Sequence, residues 1–255
     1  GSCIITSVGM FGLDEGYAPP TPFARVPIYV LLGAMRDMPA VVDGELIDDI
    51  DGEQRVIGDL GTIDHLQGPH NWQNAAAAFS AVSAMGIDAK HIGEAILDFP
   101  GLAHRMETVG TVGKVRFVND SKATNADAVR QALSSYHDIF WIAGGVAKDG
   151  GIDSLSDLFG RVKQAYLIGD AAADFAATLR KSKVKTHDSK ALQMAVLCAT
   201  KDALQSDCAA PIVLLSPACA SFDQFKNFEI RGDAFREQVA ALVKLHAEET
   251  SEKVA

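Results

Sequence analysis

The stretch LLSPACASFDQFKNFEIRG, from Leu214 to Gly232, runs from apolar residues through very small ones into a polar segment. With the preceding Ile212 and Val213, its start has the length and composition of a buried strand. The run from Ser216 to Ala220 is too small to fill a core, but it lets another molecule approach closely. We expect a helix to begin at Ser221 and Phe222, whose free N–H groups would favour an anion.

Three more apolar runs precede this one: KVRFVND (114–120), IFWIAGG (139–145) and QAYLIGD (164–170). Each closes in Gly, Asp or Asn, and helical spacing of apolar residues predicts helices over 125–136, 154–162, 171–181, 189–205 and 223–249. Strands that alternate with helices predict an α/β fold, a Rossmann-like, doubly wound, mostly parallel sheet. Ligands of such sheets bind at the carboxyl ends of the strands.

The chain before about residue 105 follows another pattern. AVVDGELIDDIDG (40–52) predicts a hairpin with turns at Asp43-Gly44 and Asp51-Gly52, and helices are predicted over 70–86 and 89–100. Pro100 and Gly101 end the second helix, so we divide the chain into domains of residues 1–104 and 105–255. No structure is predicted for residues 3–35.

Composition excludes several classes of function. The net charge is -10 and the basic residues are scattered, which is atypical of a nucleic-acid-binding protein. Apolar runs stay shorter than the roughly 20 residues of a membrane span. Four cysteines without a CxxC pair fit a reducing compartment and give no zinc spacing. We expect a cytoplasmic monomer with no nucleic-acid partner and no membrane span.

Three polar or glycine-rich loops follow strands of the second domain. In NDSKATN, Ser121, Lys122 and Thr124 precede a helix whose free N–H groups favour an anion, although Thr124 or Asn125 could equally be an ordinary N-cap. Asp120, at the end of the strand, suits a hydroxyl or a metal-bound water.

In GGVAKDGG, Gly144 and Gly145 allow the backbone close approach, and Lys148 supplies one positive charge for a carboxylate or phosphate. The segment is no Walker A loop, because Ser or Thr does not follow the lysine. A plain glycine-rich loop is the alternative.

The remaining candidates flank these loops. Cys219 lies in an apolar run and is predicted to be a buried, inert thiol, and the helical spacing assigns Phe225 to the core. Asn71 and Asn74 suit either a helix cap or the edge of a nucleotide base. Arg105, at the domain junction, can reach ligand phosphates.

The chain resembles one known family in five segments: LQGPHNWQNAAAA, GLAHRMETV, VNDSKATN, GGVAKDGG and LSPACASFDQFKNFEIRGDAF. Their order and spacing are similar to the carboxyl-terminal half of the UDP-N-acetylmuramoyl-L-alanine:D-glutamate ligases, which are Mur ligases. The resemblance extends from Leu66 to Val243. SPACASFDQFKNFE is specific to the D-glutamate ligases among these enzymes.

The resemblance implies an ATP- and Mg²⁺-dependent amide ligase of peptidoglycan synthesis. In this family ATP converts the alanyl carboxylate of UDP-N-acetylmuramoyl-L-alanine to an acyl phosphate, and the amino group of D-glutamate attacks it. Three domains bind the UDP moiety, ATP and the amino acid. Residues 1–104 then correspond to the remainder of the ATP-binding domain, and residues 105–255 to the Rossmann-like D-glutamate-binding domain.

The resemblance also assigns roles to individual residues. Lys122, near the substrate phosphate and carboxylate, and Asp120 are assigned to catalysis. Asn71 and Asn74 are assigned to adenine, Arg105 and Asp120 to the ribose or phosphates of ATP, and no residue to a metal. The residues assigned to D-glutamate are Thr124, Lys148, Ser221, Phe222 and Phe228.

The sequence also departs from the family. It contains neither the glycine-rich ATP loop ending in Lys-Ser or Lys-Thr nor a UDP-binding domain, so we expect these 255 residues alone to be inactive. Two alternatives stay open. One is a binding module for an acidic amino acid or nucleotide, and the other is a different amide ligase, such as a folylpolyglutamate synthase, which should lack SPACASFDQF.

Overall fold

The structure, a computed structural model, describes residues 3–7, 28–32, 40–42, 44–48, 54–63, 66, 68–148 and 150–254. The chain divides into two compact units, Gly1–Phe99 and Pro100–Ala255. Among the described residues, no helix has both the length and the apolar character needed to cross a membrane.

The first unit combines short strands with two helices. Strands β1 (Cys3–Ser7) and β2 (Ile28–Leu32) pair in parallel. Strands β3 (Ala40–Val42), β4 (Glu45–Asp48) and β5 (Arg55–Asp59) form an antiparallel sheet, and helices α1 (Pro69–Ser83) and α2 (Ala89–Leu97) follow. The hairpin at Gly44 and both helices are confirmed, whereas the predicted turn at Asp51-Gly52 lies outside the described residues.

The second unit contains eight strands and four α-helices among its described residues. In chain order they are β6 (Glu107–Val112), β7 (Val115–Asn119), α3 (Ala126–Ser135), β8 (Ile139–Gly144), β9 (Val146–Ala147), β10 (Val162–Ile168), α4 (Ala172–Lys181), β11 (Lys185–Lys190), α5 (Leu192–Gln205), β12 (Ile212–Leu215), β13 (Cys219–Ala220) and α6 (Phe228–Val254). A 3-10 helix, Asp153–Arg161, precedes β10.

Six of these strands form one sheet in the order β11-β10-β8-β12-β7-β6. All neighbours are parallel except β6, which runs antiparallel to β7. The predicted α/β fold with a mostly parallel sheet is confirmed. The one antiparallel pair is explained by Gly113, whose φ of 56° allows β6 to turn back directly into β7.

Both faces of the sheet are covered, which explains why its central strands are continuously apolar. Along β8, Trp141 packs with α3 and α4 on one face, while Phe140 and Ile142 pack with α5 and α6 on the other. The chain after β7 and β8 continues on the first face, whereas the chain after β12 continues on the second. The loop after β12 therefore starts between two loops that leave in the opposite direction, the arrangement that favours a ligand crevice.

The expectation that a helix begins at Ser221 is wrong. Helix α6 begins at Phe228, where the Asn227 side chain accepts a hydrogen bond from the N–H of Ile230 at 2.8 Å. Residues 221–227 form turns instead, and the N–H of Phe225 donates to the carbonyl of Ser221 at 2.7 Å. The side-chain cap of Asn227 therefore fixes the start of the helix at Phe228, later in the chain than predicted.

Other elements also differ from the sequence prediction, among them one predicted helix and one edge strand. Residues predicted as a helix over 154–162 form the 3-10 helix, and the polar strand β11 was not predicted. Strand β11 is an edge strand, so only its Ser189 is buried and the apolar signal of a central strand is missing.

Candidate functional site

The loops after β7, β8 and β12 meet at the carboxyl edge of the sheet, as the sequence predicts for parallel strands. The N–H of Asp120 donates to the carbonyl of Leu215 at 2.7 Å, and the N–H of Ala218 donates to the carbonyl of Ala123 at 3.0 Å. On the other side, the N–H of Gly144 donates to the carbonyl of Pro217 at 2.9 Å. The small residues after β12 thus form the centre of the edge.

The glycines of the β8 loop serve a close backbone approach, as predicted, but to another loop of the chain. Strand β9 pairs antiparallel with β13, which joins the β8 and β12 loops directly. Gly145 has a φ of 127°, and a Cβ atom there would lie 2.3 Å from the carbonyl oxygen of Ala220. Any side chain at this position would separate the two loops.

Lys148 and Thr124 are brought together from two different loops. The Lys148 Nζ lies 3.5 Å from the Thr124 Oγ1, and the lysine side chain is exposed. The N-cap of α3 is Asn125, which accepts from the N–H of Ala128 at 2.9 Å, so Thr124 faces the lysine instead of capping the helix. Lys122, two residues before Thr124, is also exposed. An ammonium beside a hydroxyl suits a carboxylate ligand.

Asp120, the first residue after β7, is buried. Its Oδ2 accepts from the Ser216 hydroxyl at 2.7 Å and its Oδ1 from the N–H of Met106 at 3.2 Å. Burial raises the pKa of the Asp120 carboxyl to about 7, against the lowering effects of these two hydrogen bonds and of the Arg105 charge. The carboxyl can therefore donate or accept a proton near neutral pH.

The aromatic residues divide as the spacing indicated. Phe222 is 73% exposed, whereas Phe225 packs against the core on the α5 and α6 face. Phe228 is half-buried and meets the ring of His104 edge-on, with the centroids 6.2 Å apart. Ser221 is buried. Phe222 and Phe228 therefore both keep some surface exposed.

Sequence reasoning missed Arg231, which is 1% exposed. Its Nε donates to the Ser121 Oγ at 3.0 Å, and its Nη2 donates to the carbonyl oxygens of Ser121 and Cys219 at 2.9 and 3.0 Å. Burial lowers the pKa of the Arg231 guanidinium to about 10, so the group stays charged at neutral pH. The only sequence signal was a basic residue in the first turns of a helix that packs on the sheet. The positive charge beneath the loops favours an anion above them.

Cys219 is an unsuitable nucleophile, in agreement with the sequence prediction. It is fully buried, and burial raises the pKa of its thiol to about 12. Among the residues that the structure describes, no group of three or more His, Cys, Asp or Glu could hold a metal ion.

The residues predicted for the ATP side lie in both units. Asn71 and Asn74 are on α1 of the first unit, where Asn71 is buried and Asn74 is exposed. Arg105 is exposed in the second unit, in the segment just before β6. Its charge is close enough to lower the pKa of Asp120.

Comparison with known proteins finds one matching family and several similar chains. Residues 104–219 match the family described as Mur ligase, glutamate ligase domain. The UDP-N-acetylmuramoylalanine–D-glutamate ligase of Caulobacter sp. (strain K31) is 54% identical over 217 residues, covering 85% of this chain and 44% of the relative. The enzyme of the same name from Rhodospirillum rubrum is 54% identical over 206 residues, covering 81% of this chain and 43% of the relative. The chain thus spans less than half the length of these relatives.

Solved structures share the fold at low sequence identity. The UDP-N-acetylmuramate–alanine ligase of Thermotoga maritima has a TM-score of 0.51 and 14% identity, covering 80% of this chain and 45% of that one. A pseudomurein peptide ligase type C from Methanothermus fervidus has a TM-score of 0.50 and 17% identity, covering 86% of this chain and 42% of that one.

Proposed function

Because this chain carries a Mur ligase glutamate ligase domain at residues 104–219, we propose that it is part of an ATP-dependent D-glutamate ligase of peptidoglycan synthesis. The reaction joins D-glutamate to UDP-N-acetylmuramoyl-L-alanine. The proposal is supported by relatives of that name at 54% identity and by the contact between Lys148 and Thr124 at the carboxyl edge.

That contact carries the assignment of D-glutamate to this edge. D-glutamate has two carboxylates and one amino group, so its site needs cations and hydroxyl donors around a cavity open to the amine. Lys148 and Thr124 bind one carboxylate, and the buried charge of Arg231 adds to the field that attracts it. Ser221, Phe222 and Phe228 enclose the rest of the amino acid.

Lys122 faces the reacting carbonyl in this proposal. ATP transfers its terminal phosphoryl group to the alanyl carboxylate, and the D-glutamate nitrogen then attacks the carbonyl carbon. A C–N bond forms, the C–O bond to phosphate breaks, and the nitrogen loses a proton. The exposed Lys122 ammonium neutralises charge that develops on the acyl oxygens and the departing phosphate.

The nucleotide side is assigned to four residues: Asn71 and Asn74 at adenine, and Arg105 and Asp120 at phosphate and ribose. Asp120 is buried, so its assignment rests on the resemblance and on its proximity to the exposed Arg105. The reaction uses Mg²⁺, and the resemblance assigns none of the residues of this chain to it. The scattered cysteines support a cytoplasmic location, and we propose a monomer.

The test uses a complete ligase that contains this chain, with ATP, Mg²⁺ and UDP-N-acetylmuramoyl-L-alanine. Phosphate release and the mass of the product are measured with D-glutamate, L-glutamate and D-aspartate. The proposal predicts one phosphate per amide bond with D-glutamate and slow release with the other two. Equal turnover with all three amino acids, or none with D-glutamate, would contradict it.

A further inference from the structure

Arg105 is presented by an unusual turn. Its neighbours His104 and Met106 have φ values of 61° and 46°, in the left-handed region that residues other than glycine rarely adopt. Such conformations persist only where the surroundings hold them, and they concentrate at functional positions. The exposed Arg105 therefore projects from a turn that other residues must fix.

The backbone on both sides of Arg105 is bonded to the loop after β7. The carbonyl of His104 accepts from the N–H of Lys122 at 3.0 Å, and the N–H of Met106 donates to the Asp120 carboxylate at 3.2 Å. The relative position of Arg105 and Lys122 is thus set by two hydrogen bonds, one on each side of the turn.

A second layer of polar groups fixes the turn itself. The Glu107 carboxylate accepts from the N–H of His104 at 2.9 Å, and Arg236 of α6 donates to both Glu107 oxygens at 2.8 and 2.9 Å. The Arg236 Nη2 is shared by the two Glu107 oxygens, and the Arg236 Nη1 donates to the Asp233 Oδ1 at 2.8 Å, so the guanidinium is itself held between two carboxylates. Helix α6 therefore fixes Glu107 through Arg236, and Glu107 in turn fixes the backbone of His104.

The side chain of Asn119 connects the same turn to α6 from the interior. It is fully buried, and its Nδ2 lies 3.1 Å from both the His104 Nδ1 and the carbonyl oxygen of Gly232. A Cβ atom at residue 232 would lie 2.2 Å from the His104 Nδ1, so a glycine is needed at this position to leave room for the imidazole. The Asn119 Oδ1 accepts from the N–H of Ser121 at 3.3 Å, which extends the connection into the β7 loop.

We propose that Glu107 and Asn119, together with Arg236, are positioning residues that hold Arg105 and Lys122 in the relative placement that the ligase reaction needs. The inference rests on the proposed function. We call the contacts among Glu107, Asn119 and Arg236 the clamp. The Lys148 and Thr124 contact involves none of these residues, so the clamp affects the reaction of bound substrates more than the capture of D-glutamate.

The first test measures kinetics of the Arg236→Gln variant in a complete ligase that contains this chain. A displacement of about 1 Å at a reacting group can cost up to about a hundredfold, so we expect kcat to fall at least about tenfold while KM for D-glutamate changes less than about twofold. Arg236→Lys, which keeps the charge, should recover part of kcat. Arg130→Gln is the control, because Arg130 also bonds both oxygens of a carboxylate, donating from Nη1 and Nη2 to Asp157 at 2.8 and 3.1 Å, and its loss should leave kcat unchanged.

The second test uses the 255-residue chain and does not depend on turnover. Amide hydrogen exchange should accelerate at Lys122 and Met106 in Arg236→Gln and stay unchanged there in Arg130→Gln. Unchanged exchange in Arg236→Gln, or kinetics equal to those of the control, would overturn the inference. A wild-type ligase that makes no D-glutamate product would contradict the proposed function instead. The exchange result would still show whether Arg236 fixes the backbone at Lys122 and Met106.

Discussion

Replacing Asp120 by Asn should stabilise the protein at alkaline pH and change little at acidic pH. The pKa of the Asp120 carboxyl is 3.8 in its unperturbed form and about 7 in the folded protein, because burial disfavours the charge. A tenfold change in proton affinity is worth about 1.4 kcal/mol, so full ionisation costs about 4 kcal/mol of unfolding free energy. The introduced amide can keep both contacts, since the Ser216 hydroxyl can rotate to accept from it.

The sign follows from proton binding. Between pH 3.8 and about 7 the folded protein retains a proton that the unfolded chain has lost, so stability falls as pH rises through this range. The amide that replaces the carboxyl in the Asp120→Asn variant does not titrate. The difference in unfolding free energy, variant minus wild type, should therefore rise from near zero at about pH 4 to about 4 kcal/mol at about pH 8.

Urea unfolding at several pH values measures this difference. The fluorescence of Trp141, recorded in a Trp72→Phe background, is a local reporter, because the indole is buried and its N–H donates to the carbonyl of Ser216 at 2.7 Å. Asp157→Asn is the control, because the hydrogen bond from Arg130 lowers the pKa of that exposed carboxyl. Its difference in unfolding free energy, variant minus wild type, should therefore fall with rising pH instead of increasing. A difference that stays constant with pH, or an Asp120→Asn variant that is less stable than wild type under alkaline conditions, would refute the reasoning.

Three further predictions concern the loops. Lys148→Ala in a complete ligase should raise KM for D-glutamate roughly ten- to a hundredfold, the value of a charge-assisted contact, and leave KM for the nucleotide acceptor nearly unchanged. Lys163→Ala is its matched control, because Lys163 is an exposed lysine at the start of β10, at the opposite edge of the sheet, and should leave both constants unchanged. Arg231→Lys should lower the unfolding free energy by about 2 kcal/mol in urea titrations. A single ammonium group cannot reproduce the bonds that the Arg231 Nε and Nη2 make to Ser121 and Cys219. Gly145→Ala, which would place a Cβ 2.3 Å from the Ala220 carbonyl oxygen, should lower the melting temperature and abolish D-glutamate binding in calorimetry.

Local sequence pattern was sufficient for most of the second unit. Strands β7, β8, β10 and β12 are buried on both faces, so their apolar runs are continuous and end at recognisable polar residues. Strand β11 was missed because it is a polar edge strand, and the start of α6 was misplaced because several polar residues precede Asn227. The choice among competing caps depends on contacts made elsewhere in the fold.

Only the loop residues of the candidate site could be predicted from local sequence pattern. Lys122, Thr124 and Lys148 follow parallel strands, and the topology alone brings such loops to one edge. Arg231 and Arg236 were not predicted, because they reach Ser121 and Glu107 across separations of 110 and 129 residues. Neither a helical pattern nor a loop motif encodes such pairings.

The most direct test of the account is a titration of the isotopically labelled 255-residue chain with D-glutamate, followed by NMR of its backbone amides. The account predicts the largest shift changes at Thr124, Lys148 and Ser221, with much smaller changes at Ile139 and Ile212, which begin their strands at the opposite edge of the sheet. L-glutamate is the control and should produce smaller changes at the same concentrations. Changes confined to the opposite edge, or equal responses to the two enantiomers, would contradict the assignment of D-glutamate to the loops after β7, β8 and β12.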